Sequence, residues 1–103
     1  MNPRFVWLDA LMSLAEGRLL TKGGETALAY HLHGVPNVVH VFDDLLRHGW
    51  IAPVDPHGRR YALTAEGAEA LREGAEWYRA QPTWVRLLRP KPGLGRVVGA
   101  MAA

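Results

Sequence analysis

The chain has 103 residues, 49% hydrophobic and 21% charged, which fits one folded domain and excludes an intrinsically disordered chain. It has no cysteine, removing disulfides, thiolate chemistry and cysteine-based zinc sites, and no run near the roughly 20 apolar residues that span a bilayer. Net charge is +2 but uneven: Arg79, Arg86, Arg89, Lys91 and Arg96 follow residue 78 with no acid among them, whereas seven basic and ten acidic residues precede them, so any nucleic acid must be met by local clusters.

Asn2 as a cap, Pro3 at a first helical position, and Phe5, Leu8, Leu11, Met12, Ala15 and Leu19 at three- and four-residue steps predict a helix over 3–16, stopped by Gly17. Thr21, Lys22, Gly23 and Gly24 lead to an expected second helix over about 24–33, with Ala27, Leu28, His31 and Leu32 on one side and Gly34 closing it. Val38, Val41, Phe42, Leu45 and Leu46 form the buried stripe of a third helix, whose other face carries Pro36, Asn37, His40, Asp43, Asp44 and Arg47. Gly49 follows its last turn.

Residues 50–54 and 60–63 read as short strands around the turn-rich tip Asp55-Pro56-His57-Gly58-Arg59, making a hairpin. Tyr61 and Leu63 share one strand face, with Arg60 and Ala62 on the other. Thr64 caps a fourth helix running to about Arg79, with Glu66 in its first turn. Pro82 interrupts the pattern, residues 83–89 form a short amphipathic helix, and Gly93, Gly95 and Gly99 predict a loose tail. The division is therefore a domain over 1–80 and a basic C-terminal segment over 81–103.

The sequence Leu45-Leu46-Arg47-His48-Gly49-Trp50-Ile51, followed by Gly58-Arg59-Arg60-Tyr61-Ala62-Leu63-Thr64-Ala65-Glu66-Gly67, resembles the winged helix-turn-helix regulators of the MarR, PadR and ArsR type over about residues 5–80. The resemblance implies a mainly α fold with a small β-hairpin. It makes the third helix the recognition element and the hairpin the wing, and implies sequence-specific binding of double-stranded DNA as a small dimeric transcriptional regulator.

The candidate DNA-binding residues are Asn37, His40, Arg47, Arg59, Arg60 and Lys22. Asn37 can pair with adenine, Arg47 can read guanine or hold a phosphate, and His40 can donate or accept. Arg59 and Arg60 on a hairpin tip suit backbone or minor-groove contact. Five of the six have a plainer alternative: Asn37 as a helix cap, Arg47 paired to Asp43 four residues earlier, and Arg59, Arg60 and Lys22 as solubilising charges. Asp43 and Asp44 on the recognition face oppose a phosphate backbone. They keep open a protein-interaction module, and the fold also suits an accessory DNA-binding protein of plasmid or phage replication or excision.

Trp77, Trp84, Leu87 and Leu88 are candidate dimer contacts, because large aromatics beside Gly74 and Ala75 make effective anchors; folding over the monomer core is the alternative. Tyr78 reads as core. His40, Asp44 and His48 at i, i+4 and i+8 are too spread for one ion, so no metal or other cofactor is expected. Ser13 has no identifiable Asp-His partner, and an enzyme is not expected. The start of the chain lacks the apolar run of a secretion signal, so a cytoplasmic protein without membrane association is expected.

Overall fold

The computed structural model describes residues 3–23 and 29–101. Within them, α1 spans Arg4–Ala15, β1 Leu20–Lys22, β2 Tyr30–His31, α2 Phe42–Arg47, β3 Ile51–Pro53, β4 Arg60–Leu63, α3 Ala65–Arg79, α4 Thr83–Leu88 and α5 Leu94–Met101. A single 3-10 turn, Val38–His40, precedes α2. The architecture is thus α+β: five α-helices, among the described residues, around a four-stranded antiparallel sheet ordered β2-β1-β4-β3. The sheet extends beyond the expected hairpin because Leu20 and Thr21 pair with Tyr61 and Arg60, and Thr21 and Lys22 with His31 and Tyr30.

The second helix expected over 24–33 is corrected. Residues 24–28 lie outside the described set, and beyond them Tyr30–His31 is a strand. The reason is a period of two: half-buried Tyr30 and buried Leu32 alternate with exposed His31 and His33, the pattern of a strand face rather than a helix stripe. The third helix is shorter than expected. Val38, Val41, Phe42 and Leu45 are buried as the stripe predicts, whereas Leu46 is 40% exposed; Val38-Val39-His40-Val41 makes only the 3-10 turn, since three β-branched residues in four disfavour a continuous α-helix.

The expectations for α1, the β3–β4 hairpin, α3 and α4 match the observed elements. Gly49, at φ 74°, turns the chain from α2 into β3. Thr64 Oγ1 accepts the Gly67 N–H at 3.0 Å, capping α3. Gly67 is required by contact: a Cβ there would lie 2.3 Å from the Trp50 carbonyl oxygen and 2.6 Å from Leu63 Cδ1.

Helices α1 and α3 cross closely enough that a Cβ on Gly74 would lie 2.5 Å from Leu8 Cδ2. Leu11, Leu20, Leu32, Leu45 and Leu71 are among the most deeply buried side chains between these helices and the sheet. Ser13 Oγ donates to the His33 carbonyl at 2.7 Å, tying α1 to the segment after β2.

The loose tail is also corrected. Leu94 and Val97 are buried, Val98 and Met101 partly so, and α5 packs on α1 and α3. Lys91 fixes its approach: the side chain is 5% exposed, and its ammonium donates to Asp9 at 2.6 Å and to the Phe5 carbonyl at 2.9 Å. The radius of gyration, 13.4 Å, is that of a compact chain of this length, about 13 Å for 100 residues, as required if the C-terminal segment is folded into the body.

Candidate nucleic-acid interface

The sheet gathers three of the six candidate DNA-binding residues at one end. The Lys22 N–H donates to the Arg59 carbonyl at 2.8 Å, and Thr21 faces Arg60 across the β1–β4 ladder. Because partners in a ladder share a face, His31, Thr21 and Arg60 form one row on the side away from buried Leu20 and Tyr61. Arg59 and Arg60 are both exposed.

The hairpin tip is organised by Asp55. Its carboxylate accepts the Arg59 N–H at 2.8 Å and the Arg60 N–H at 3.0 Å, fixing the backbone that carries both guanidinium groups. The Arg60 N–H is the main reason its carboxyl is held below the ordinary value; the Arg59 N–H and the charges of Arg60 and His57 act in the same direction, against desolvation.

Lys22 is oriented by aromatic rings. Its ammonium lies 5.7 Å from the Phe42 centroid and 5.8 Å from that of Tyr30, over rings that pack on each other at 5.1 Å. Phe42 begins α2 and also meets Tyr61 edge-on at 5.1 Å. Lys22 thus joins the hairpin end of the sheet to the start of α2, two residues beyond exposed His40.

Asn37 is exposed and starts the 3-10 turn without a side-chain capping bond, so the capping alternative is not what its amide does. Arg47 stands apart from the cluster. It pairs with Asp44, one turn back, rather than with Asp43, and Asp44 also accepts the Trp7 indole N–H at 3.3 Å. Of the two carboxylates facing the expected groove, Asp43 is exposed and Asp44 is occupied within the fold. His48 Nδ1 lies 2.7 Å from the Asp44 carbonyl and its ring stacks on Trp50 at 4.4 Å. Among the described residues, no group of three potential ligands is placed to hold a metal ion.

Sequence reasoning missed the roles of Asp55 and Asp44. An Asp opening a Pro- and Gly-containing turn is a signal for the first, since such carboxylates accept backbone N–H groups a few residues on. The second had no local signal, because Trp7 is 37 residues away.

The candidate dimer residues divide. Trp77 is half-buried, edge-on to Phe5 at 5.2 Å with the Arg4 guanidinium 5.3 Å over its ring, so it works within the monomer. Trp84, Leu87 and Leu88 are 64%, 75% and 71% exposed, and α4 has no buried residue. Tyr78 is buried as expected, its hydroxyl shared between the carbonyls of Arg86 and Arg89 at 3.3 and 2.8 Å.

No helix among the described residues is long and apolar enough to cross a membrane. Compared with known proteins, the chain matches no family model, no curated protein and no solved structure.

Proposed function

We propose that the protein binds double-stranded DNA as a homodimeric winged-helix regulator of transcription. The reading rests above all on exposed Arg59 and Arg60, adjacent on a hairpin whose backbone Asp55 fixes and the Lys22 N–H also joins. Arg60 shares the outer sheet face with Thr21 and His31, whereas the Lys22 ammonium lies over Tyr30 and Phe42 on the other, so the exposed hairpin arginines on their fixed backbone are the groups best suited to phosphates along a duplex edge. Exposed Asn37 and His40, just before α2, offer base-edge hydrogen bonding. Retention of Asp44 by Trp7 and Arg47 leaves Asp43 as the nearby carboxylate opposing the backbone, which favours DNA over a protein partner for this face. The exposed Trp84, Leu87 and Leu88 support the dimer, since a chain this small rarely leaves three large apolar side chains to water without a use.

Selection of genomic fragments with purified protein is the test. Enrichment of a duplex with two half-sites about 34 to 36 Å apart is expected. Joint replacement of Arg59 and Arg60 by Ala should weaken binding to selected and random duplexes alike, while Asn37→Ala should narrow the gap between them. No enrichment, together with weak binding indifferent to the double replacement, would remove the proposal.

A further inference from the structure

One residue of α2, Asp44, is held from three sides. Its Oδ2 accepts the Trp7 indole N–H at 3.3 Å, and its Oδ1 accepts from the Arg47 guanidinium one turn on. Its carbonyl lies 2.7 Å from His48 Nδ1, and since a carbonyl only accepts, that nitrogen carries the proton. The rings behind these bonds pack on one another: His48 stacks on Trp50 at 4.4 Å, and Trp7 meets Trp50 edge-on at 5.4 Å and His48 at 5.7 Å. Trp7 belongs to α1, 37 residues from Asp44, so the first helix fixes a side chain on the expected recognition element.

The resulting ion pair is asymmetric. The Asp44 side chain is 28% exposed and that of Arg47 72%, so the carboxylate is the anchored end and the guanidinium the presented one. An exposed pair one turn apart is ordinarily loose, because two long side chains lose freedom for little attraction; here the acceptor is already immobilised by the indole. Arg47 donates from Nη2 to Asp44, and the planar fork keeps further N–H donors for a ligand. Charge decides which ligand. Asp43, Asp44 and Arg47 together leave this face net negative, which repels phosphate, whereas a base edge is recognised by the direction of its hydrogen bonds. Guanine offers two adjacent acceptors, O6 and N7, that match a guanidinium fork. A side chain ordered before binding loses less freedom in making that contact.

We propose that Arg47 reads a guanine in the major groove of the duplex and that Trp7 is the residue that positions it, acting through Asp44. The inference rests on the DNA reading above and assigns one of its base contacts. It separates two kinds of arginine: Arg59 and Arg60 on the hairpin meet phosphate, and paired Arg47 meets a base. It also gives Asp44 a use on a face where a carboxylate otherwise opposes DNA.

Titration of the selected duplex, of versions with each G·C pair replaced by A·T, and of a random duplex tests it. Wild type should lose about 10-fold at one guanine of each half-site. Arg47→Lys keeps the charge without the fork and should lose that preference while holding the random duplex about as well. Trp7→Phe keeps an aromatic ring without the N–H and should cut the preference about threefold or more, with the salt slope and the affinity for the random duplex unchanged. In the free protein, NMR relaxation of the Arg47 side-chain nitrogens should show the guanidinium ordered in wild type and mobile in Trp7→Phe. Asp44→Asn supplies the same readouts if Trp7→Phe loses its cooperative melt; it removes a negative charge, so a merely electrostatic role would tighten binding to both duplexes and leave the preference intact. A guanine preference that survives Arg47→Lys would overturn the base assignment and leave the DNA reading standing. A preference lost in Arg47→Lys but kept in Trp7→Phe, or in Asp44→Asn where that replaces it, would overturn the positioning role of Trp7. A protein that enriches no duplex would remove the DNA reading and this contact with it.

Discussion

At the scale of single residues, Asp55 shows how local chemistry holds the hairpin tip in place, and Gly67 how close packing seats α3 behind it. Asp55 is fully charged above the ordinary carboxylate pKa, about 3.9, and its folded-state value is lower because the Arg60 N–H, then the Arg59 N–H, bond the carboxylate. A depressed folded pKa gives stabilisation that is complete above the unfolded value and lost as pH falls through the folded one. The amides of Arg59 and Arg60 should therefore titrate together below about pH 3.9 in an NMR series, and Asp55→Ala should speed their hydrogen exchange at neutral pH. Unchanged exchange would mean that the tip does not depend on Asp55. Gly67 acts through space rather than charge. A methyl group there meets the Trp50 carbonyl at 2.3 Å, a contact with backbone that no rotamer change relieves. Gly67→Ala should lower stability by about 1 to 3 kcal/mol in urea unfolding, the usual result of overpacking. This is the structural reason for glycine in the Leu63-Thr64-x-x-Gly67 stretch, independent of any resemblance.

At the scale of elements, what the sequence disclosed depended on whether the signal was local. Helices α1 and α3 and the β3–β4 hairpin were legible because stripe, cap and turn agree, with Thr64 followed by Glu66 and Leu71 in one case and strands around Asp55 to Gly58 in the other. Pairing of β1 with β4 was not legible, since it joins Leu20 to Tyr61 across the chain and three residues carry too short a pattern. Tyr30-His31-Leu32-His33 alternates, but read with the residues before it the same letters also supply a helix-like side. The α5 expectation failed because Gly93, Gly95 and Gly99 outweighed Leu94, Val97, Val98 and Met101, which are spaced as a helix stripe and pack as one. Of the candidate site, Arg59 and Arg60 were legible as a hairpin tip. The partnership of Arg47 with Asp44 was harder to assign because Asp43 offers an equally ordinary spacing. The difference between a packed α5 and a tail is measurable: Leu94→Ala should cost about 2 to 4 kcal/mol in urea unfolding, whereas an unpacked tail would give no change. For the same reason, truncation after Gln81 removes Lys91, Leu94 and Val97 together and should destabilise the whole domain, so point changes in α4 are the cleaner probe of the dimer.

At the scale of the whole molecule, the basic C-terminal segment contributes less free charge than its composition promises. Lys91 is engaged by Asp9 and the Phe5 carbonyl, Arg96 lies 3.8 Å from Glu16 and Arg89 lies 5.3 Å over the Phe5 ring, so three of its four cations already face partners within the monomer. Arg59 and Arg60, by contrast, point their backbones at Asp55 and leave their guanidinium groups exposed. If duplex DNA is the ligand, the salt dependence of binding separates these groups, because each phosphate that a cation neutralises adds about one to the log–log slope. Replacing Arg59 and Arg60 by Ala should make the slope shallower by up to about two per protomer. Arg96→Gln should leave it unchanged at constant fold. Titration of one duplex at several salt concentrations checks both. An equal effect from Arg96 and the hairpin pair would mean that DNA runs along the C-terminal segment; an effect from Arg59 and Arg60 alone would put it at the hairpin end of the sheet, where Lys22 also stands.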